Sequence, residues 1–178
     1  SSLQIEQYYY EKLAGIKVRK KVRVRGYNEY REDDLVFLEI KRKNVSVISK
    51  DRSPVRFTDL AEIMNTRQIE EYIFTENGYR DAIPDGKKFL YQVLKNNLHP
   101  VIKVTYEREP FVYRFDRSLR ITFDKNLRGS ARTGMNTLYQ DESRVHPLCG
   151  FFVLEIKSFK PYPSWLNYLI SELNVRHQ

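Results

Sequence analysis

From residue 17 to residue 27 polar and apolar positions alternate: Lys21, Arg23 and Arg25 fall on one side, Val22 and Val24 on the other. A period of two predicts a strand. Asn28 to Asp34 is a polar connection, and the alternation resumes over Val36 to Lys43, where Val36, Leu38 and Ile40 oppose Phe37, Glu39 and Lys41. The two runs read as a hairpin. A third strand is expected at Val45 to Ile48, leading to Lys50 and Arg52. The middle of the chain changes period. Thr58 can cap a helix through Asn65, 67–74 continue helically, and Asn77-Gly78 makes a turn. Asp85 can cap a helix over 87–97, with Phe89, Leu90, Val93 and Leu94 as its apolar stripe. After Pro100 strands are expected at 101–108, 111–116, 118–124 and 151–158, with 129–147 as loop. Pro163-Ser164 opens a last helix whose Trp165, Leu166, Leu169, Ile170 and Leu173 should face the core. A short helix is also expected over 4–14, ended by Gly15. The order of strands, helical insert, strands and helix excludes a βαβ repeat and fits an antiparallel α+β fold or a closed β-barrel.

Composition narrows this to a globular protein. The chain has 178 residues, 41% hydrophobic and 13% aromatic, which excludes a disordered chain and fits one domain over 1–178. A single cysteine, Cys149, excludes an internal disulfide and a cysteine-based zinc cluster. Its Leu-Cys-Gly setting predicts a buried, inert thiol, in a reducing compartment. His99, His146 and His177 share no metal-ligand spacing. Gly129 to Gly134 lacks the Gly-Lys-Ser/Thr ending of a nucleotide-binding loop. No apolar run reaches the roughly 18 residues that span a bilayer, and no signal peptide opens the chain, so a cytoplasmic location is expected, with the cytosolic face of a membrane as a variant. There is no initiator Met, and the sequence reads as an excerpt with incomplete ends.

Charge changes the picture most. Lys and Arg number 31 against 23 Asp and Glu, a net charge of +8, which favours acidic partners. Residues 17–25 hold six Lys and Arg (Lys17, Arg19, Lys20, Lys21, Arg23 and Arg25) and no acid. The Val-Phe-Leu-Glu-Ile-Lys of 36–41 returns as Phe-Val-Leu-Glu-Ile-Lys at 152–157, each with Glu and Lys two residues apart on one strand face. Two cations ~5 Å apart repel by roughly 3 kcal/mol at an effective dielectric near 20. Strands carrying several of them need an anion between. Phosphate chains supply one, and arginine grips phosphate by paired hydrogen bonds. Carboxylates beside them can hold a divalent cation that bridges phosphate oxygens. Strand phase puts Lys21 and Lys157 with the cations and Glu39 with the carboxylates.

Glu11-Lys-Leu13, Lys21-Val-Arg-Val-Arg-Gly-Tyr27, Val36 to Lys41, Leu119-Arg-Ile-Thr-Phe-Asp124 and Val153 to Lys157 stand in this order and spacing, with a helix behind. Together they resemble the VTC domain, the polyphosphate polymerase domain of the triphosphate tunnel metalloenzyme superfamily, over about residues 8–175. The resemblance implies an eight-stranded antiparallel tunnel in which the γ-phosphate of ATP passes to a growing polyphosphate chain with Mn2+ or Mg2+. It implies Arg23, Arg25, Lys41, Arg108 and Arg120 as phosphate ligands, Lys50 and Arg52 as part of a basic stretch, and Glu155 as metal ligand. No protein nucleophile is called for, because the acceptor phosphate attacks. The family's first strand and its element after the last helix are missing from this sequence. Expected partners are ATP and polyphosphate or triphosphate, with a membrane-associated partner left open. Water as acceptor would make the site a triphosphatase, and loss of the metal site would leave a polyphosphate-binding module. Basic strands beside tyrosines also permit a nucleic-acid binder, the least favoured reading. Trp165 is expected in the core, and Tyr8, Tyr9 and Tyr10 on a helix packed against the barrel.

Overall fold

A computed structural model describes residues 18–31, 33–44, 47–75, 78–131, 134–140 and 145–174. The expected helix over 4–14 with its tyrosines, Lys17, Asn77 and His177 lie outside the described residues. The chain divides into two compact units, Ser1–Lys103 with Ala131–Asp141, and Val104–Ser130 with Glu142–Gln178.

The first unit is built on an antiparallel sheet of β1 (Val18–Arg25), β2 (Leu35–Asn44) and β3 (Val47–Arg56), in that order. The alternation read in the sequence sets its two faces. Val22, Val24, Val36, Leu38, Ile40 and Val55 turn to the core, where they meet Leu60 and Ile63 of α1 (Leu60–Thr66) and Ala82, Phe89, Leu90 and Val93 of α2 (Ala82–Lys95). Strand β3 runs to Arg56, well past the expected Ile48. Pro54 does not stop it, because β3 lies at the sheet edge, where a missing N–H costs no ladder bond. The expected helix over 67–74 is not formed. Arg67 takes a left-handed conformation, φ 62°, and closes α1 through its N–H to Ile63 O; a short 3-10 turn follows at Glu70–Tyr72, and Ile73 bridges to Val55 of β3. Helix α2 begins at Ala82, earlier than read, so Asp85 lies within its first turn and caps nothing. Its carboxylate instead accepts the Arg52 N–H at 2.9 Å and pairs with Lys88 at 3.0 Å. On the same side of the sheet Asp51 pairs with Lys88 and Arg42. Gly86 lets helix and sheet touch: a Cβ there would stand 2.7 Å from Ile73 Cδ1 and 2.9 Å from Ser53 Oγ.

The second unit carries most of a sheet ordered β4 (Ile102–Val112), β5 (Arg120–Ala131), β6 (Val153–Lys157), with α3 (Ser164–Glu172). Residues 101–108 and 111–116 were expected as two strands; β4 runs through Pro110, again on an edge strand. Of the apolar residues on α3 only Leu166 is buried. Trp165 is 39% exposed and packs on Tyr113, ring centroids 5.4 Å apart, while Leu169 and Leu173 are exposed, so the expected core stripe is a single residue wide. Cys149 is also exposed, not buried: it sits in a turn at 147–150 whose residues all face solvent, so two apolar neighbours did not make a core position. Among the described residues the ladders form two three-stranded sheets and no closed barrel.

Candidate functional site

The outward face of the first sheet is set by register. Lys21, Lys41 and Lys50 are cross-strand partners; so are Arg23, Glu39 and Arg52; so are Arg25, Phe37 and Pro54. Same-face neighbours in adjacent strands stand about 5 Å apart, so three rows of three form a grid with six cations and Glu39 at its centre. The Glu39 side chain is fully buried, 0% exposed. Its Oε2 takes Arg23 Nε at 2.7 Å and Arg25 Nε at 3.8 Å; its Oε1 takes Lys50 Nζ at 2.8 Å and Arg52 Nε at 3.3 Å. Burial alone would push its carboxyl up, but the hydrogen bond from Lys50 and the charge of Arg23 outweigh it, and the group is held below the ordinary carboxylate range. Lys41 is exposed in the next row.

Two aromatic residues that period two could have added to this face are Tyr27 and Phe37. The Arg52 guanidinium lies 3.5 Å over the Phe37 ring and donates to Tyr27 Oη at 3.0 Å. Burial raises the Tyr27 phenol, and Arg25 and Arg52 more than offset this, leaving it lowered. Both rings stiffen the arginine, since a stacked, hydrogen-bonded guanidinium has few alternative rotamers.

On the second sheet Arg120 opposes Lys157 and Thr122 opposes Glu155. Arg108 of β4 grips Asp124 through two bonds, 2.7 and 2.6 Å, lies 3.9 Å from Glu155, and stacks on Tyr106 at 5.1 Å. The bonds to Asp124 hold its proton more tightly than usual. Glu155 pairs with Lys157 at 3.0 Å. Asp124 thus joins the expected set; the signal for it was its place two residues beyond Thr122 on the same strand face.

The structure gathers Lys21, Arg23, Arg25, Glu39, Lys41, Lys50 and Arg52 on one sheet face, and Arg108, Arg120, Glu155 and Lys157 on another. The donor set for a divalent cation can be tested on each. Glu39 does not fit: its oxygens already serve four cations, and a dication would enter a positive cage. Asp124 and Glu155 are engaged too, by Arg108 and Lys157, but neither sits in a cage of four cations, and a magnesium-like ion needs only one or two carboxylates when phosphate and water supply the rest. Among the described residues no three acidic, histidine or cysteine side chains gather to hold a metal unaided.

A family model, that of the VTC domain, matches residues 4–178, essentially the whole chain. No curated protein matches it. No helix among the described residues is long and apolar enough to cross a membrane.

Proposed function

The chain belongs to the VTC domain family, and from its implied polyphosphate-related function we propose a polyphosphate polymerase-like phosphotransferase using ATP and a divalent metal. The observation that carries this reading is the grid on the first sheet: six Lys and Arg on one face with a single carboxylate. Such a face keeps a net charge near +5 and is stabilised by a polyanion. Arg23, Arg25 and Arg52 bind phosphate oxygens and orient them, and Lys41, Lys21 and Lys50 extend the grip as point charges. On the second sheet, Asp124 and Glu155 would hold a metal, which would supply charge neutralisation to phosphoryl oxygens bound there. Arg120 and Lys157 add positive charge beside these carboxylates, and Arg108 holds Asp124 in place through its two bonds. The acceptor phosphate oxygen bonds to the γ-phosphorus, the bond to the β–γ bridging oxygen breaks, and ADP leaves.

The test is incubation of the protein with ATP and Mn2+, followed by gel analysis of polyphosphate and separate measurement of orthophosphate. Long-chain product, lost in Glu155→Gln, supports the proposal. Orthophosphate without polymer identifies a triphosphatase, the runner-up. Tripolyphosphate binding without turnover identifies a binding module, and tight binding of single-stranded nucleic acid that tripolyphosphate fails to displace rejects all three.

A further inference from the structure

We propose that Glu39 is a built-in counter-anion that reserves the basic face of the first sheet for phosphate chains and against single phosphate ions, an inference that rests on the phosphate-binding reading above. Strand phase and the repeated Glu-x-Lys suggested a metal ligand, yet the carboxylate is fully buried and engaged by Arg23 and Arg25 of β1 and Lys50 and Arg52 of β3, the two strands that flank its own. Each oxygen faces two cations. Glu39 therefore occupies the centre of the grid, the place where one tetrahedral anion would otherwise draw the most positive charge.

What remains for a ligand lies around that centre. Arg23 uses its Nε–H on Glu39 and has no other ion pair among the described residues. Lys41 is exposed one row away and makes no ion pair among the described residues. A lone orthophosphate reaches one or two of these groups and gains little over water. A chain spans the rows and collects several charge-assisted bonds at once. Glu39 acts through the arginines and is a positioning and selectivity residue, not a catalytic one.

The experiment compares thermal shifts by orthophosphate and by tripolyphosphate, without metal and at ionic strength matched with KCl, for wild type and Glu39→Gln. Wild type responds to tripolyphosphate and, beyond the KCl control, not to orthophosphate. Glu39→Gln becomes responsive to orthophosphate, half-saturating roughly tenfold or more below the highest concentration at which wild type shows no response, as expected when one charge-assisted contact set is handed to the ligand. Should Glu39→Gln fail to fold, Glu39→Gln/Lys50→Met removes one cation with the anion and answers the same comparison. Equal orthophosphate responses in variant and wild type overturn the proposal. So does a variant whose only defect is loss of Mn2+-dependent stabilisation, the mark of a metal ligand. A wild type indifferent to tripolyphosphate is a separate failure: it refutes phosphate binding at this face, and the selectivity role falls with it.

Discussion

A buried carboxylate among four cations ties its protonation to stability. The Glu39 carboxyl is held below its ordinary value of 4.5 in the folded chain, through Lys50 and Arg23 acting against burial. A group with a depressed folded value binds its proton more readily when unfolded, so its stabilising contribution is complete above the ordinary range. It is lost as pH falls through the lowered folded value. The stability difference between wild type and Glu39→Gln, measured by urea unfolding, is therefore expected to be constant near neutrality and to shrink only below about pH 4.5. A difference that shrinks between pH 7 and pH 5 would contradict the assignment. Sequence alone showed Glu39 as one acid among bases. It did not show that all four neighbours turn inward onto it, because side-chain direction depends on cross-strand register, which the pattern of one strand does not contain.

At the scale of elements, packing distance decides what local preference cannot. Gly86 sits inside α2, where alanine is the better helix former by roughly 1 kcal/mol. Yet its missing Cβ would fall 2.7 Å from Ile73 Cδ1 and 2.9 Å from Ser53 Oγ, both buried. Overpacking of this kind costs about 1–3 kcal/mol. Gly86→Ala is expected to lower Tm by a few degrees at about 2–4 °C per kcal/mol; a raised Tm would show that Ile73 can yield. The same limit explains the misread boundaries. The strands expected to end at Ile48 and at residue 108 run on through Pro54 and Pro110, because an edge strand tolerates a missing donor, and only the sheet order reveals which strands are edges. Leu169 and Leu173 had the spacing of a buried stripe, and what α3 lies against was not written in its own period.

For the whole molecule the governing quantity is the net charge of +8. A ligand that binds only the folded state stabilises it by about 2.7 kcal/mol at a hundred times its dissociation constant. Saturating tripolyphosphate is then expected to raise Tm by on the order of 5–10 °C. The gain should fall as KCl rises, since screening shortens the reach of exposed charge to about 8 Å at physiological ionic strength. A salt-independent gain would argue for a ligand held by neutral contacts. Read by itself, the sequence determined the α+β class, the strand alternation of β1 and β2, the apolar stripe of α2 and the basic character of the strand faces. These follow from periodicity and composition, which are local. Tertiary structure decided that six cations surround one buried carboxylate, that Asp124 stands with Glu155, that Cys149 faces water, and that the prolines sit on edges. Those are relations between residues distant in the chain, set by register and packing, and a one-dimensional pattern carries neither.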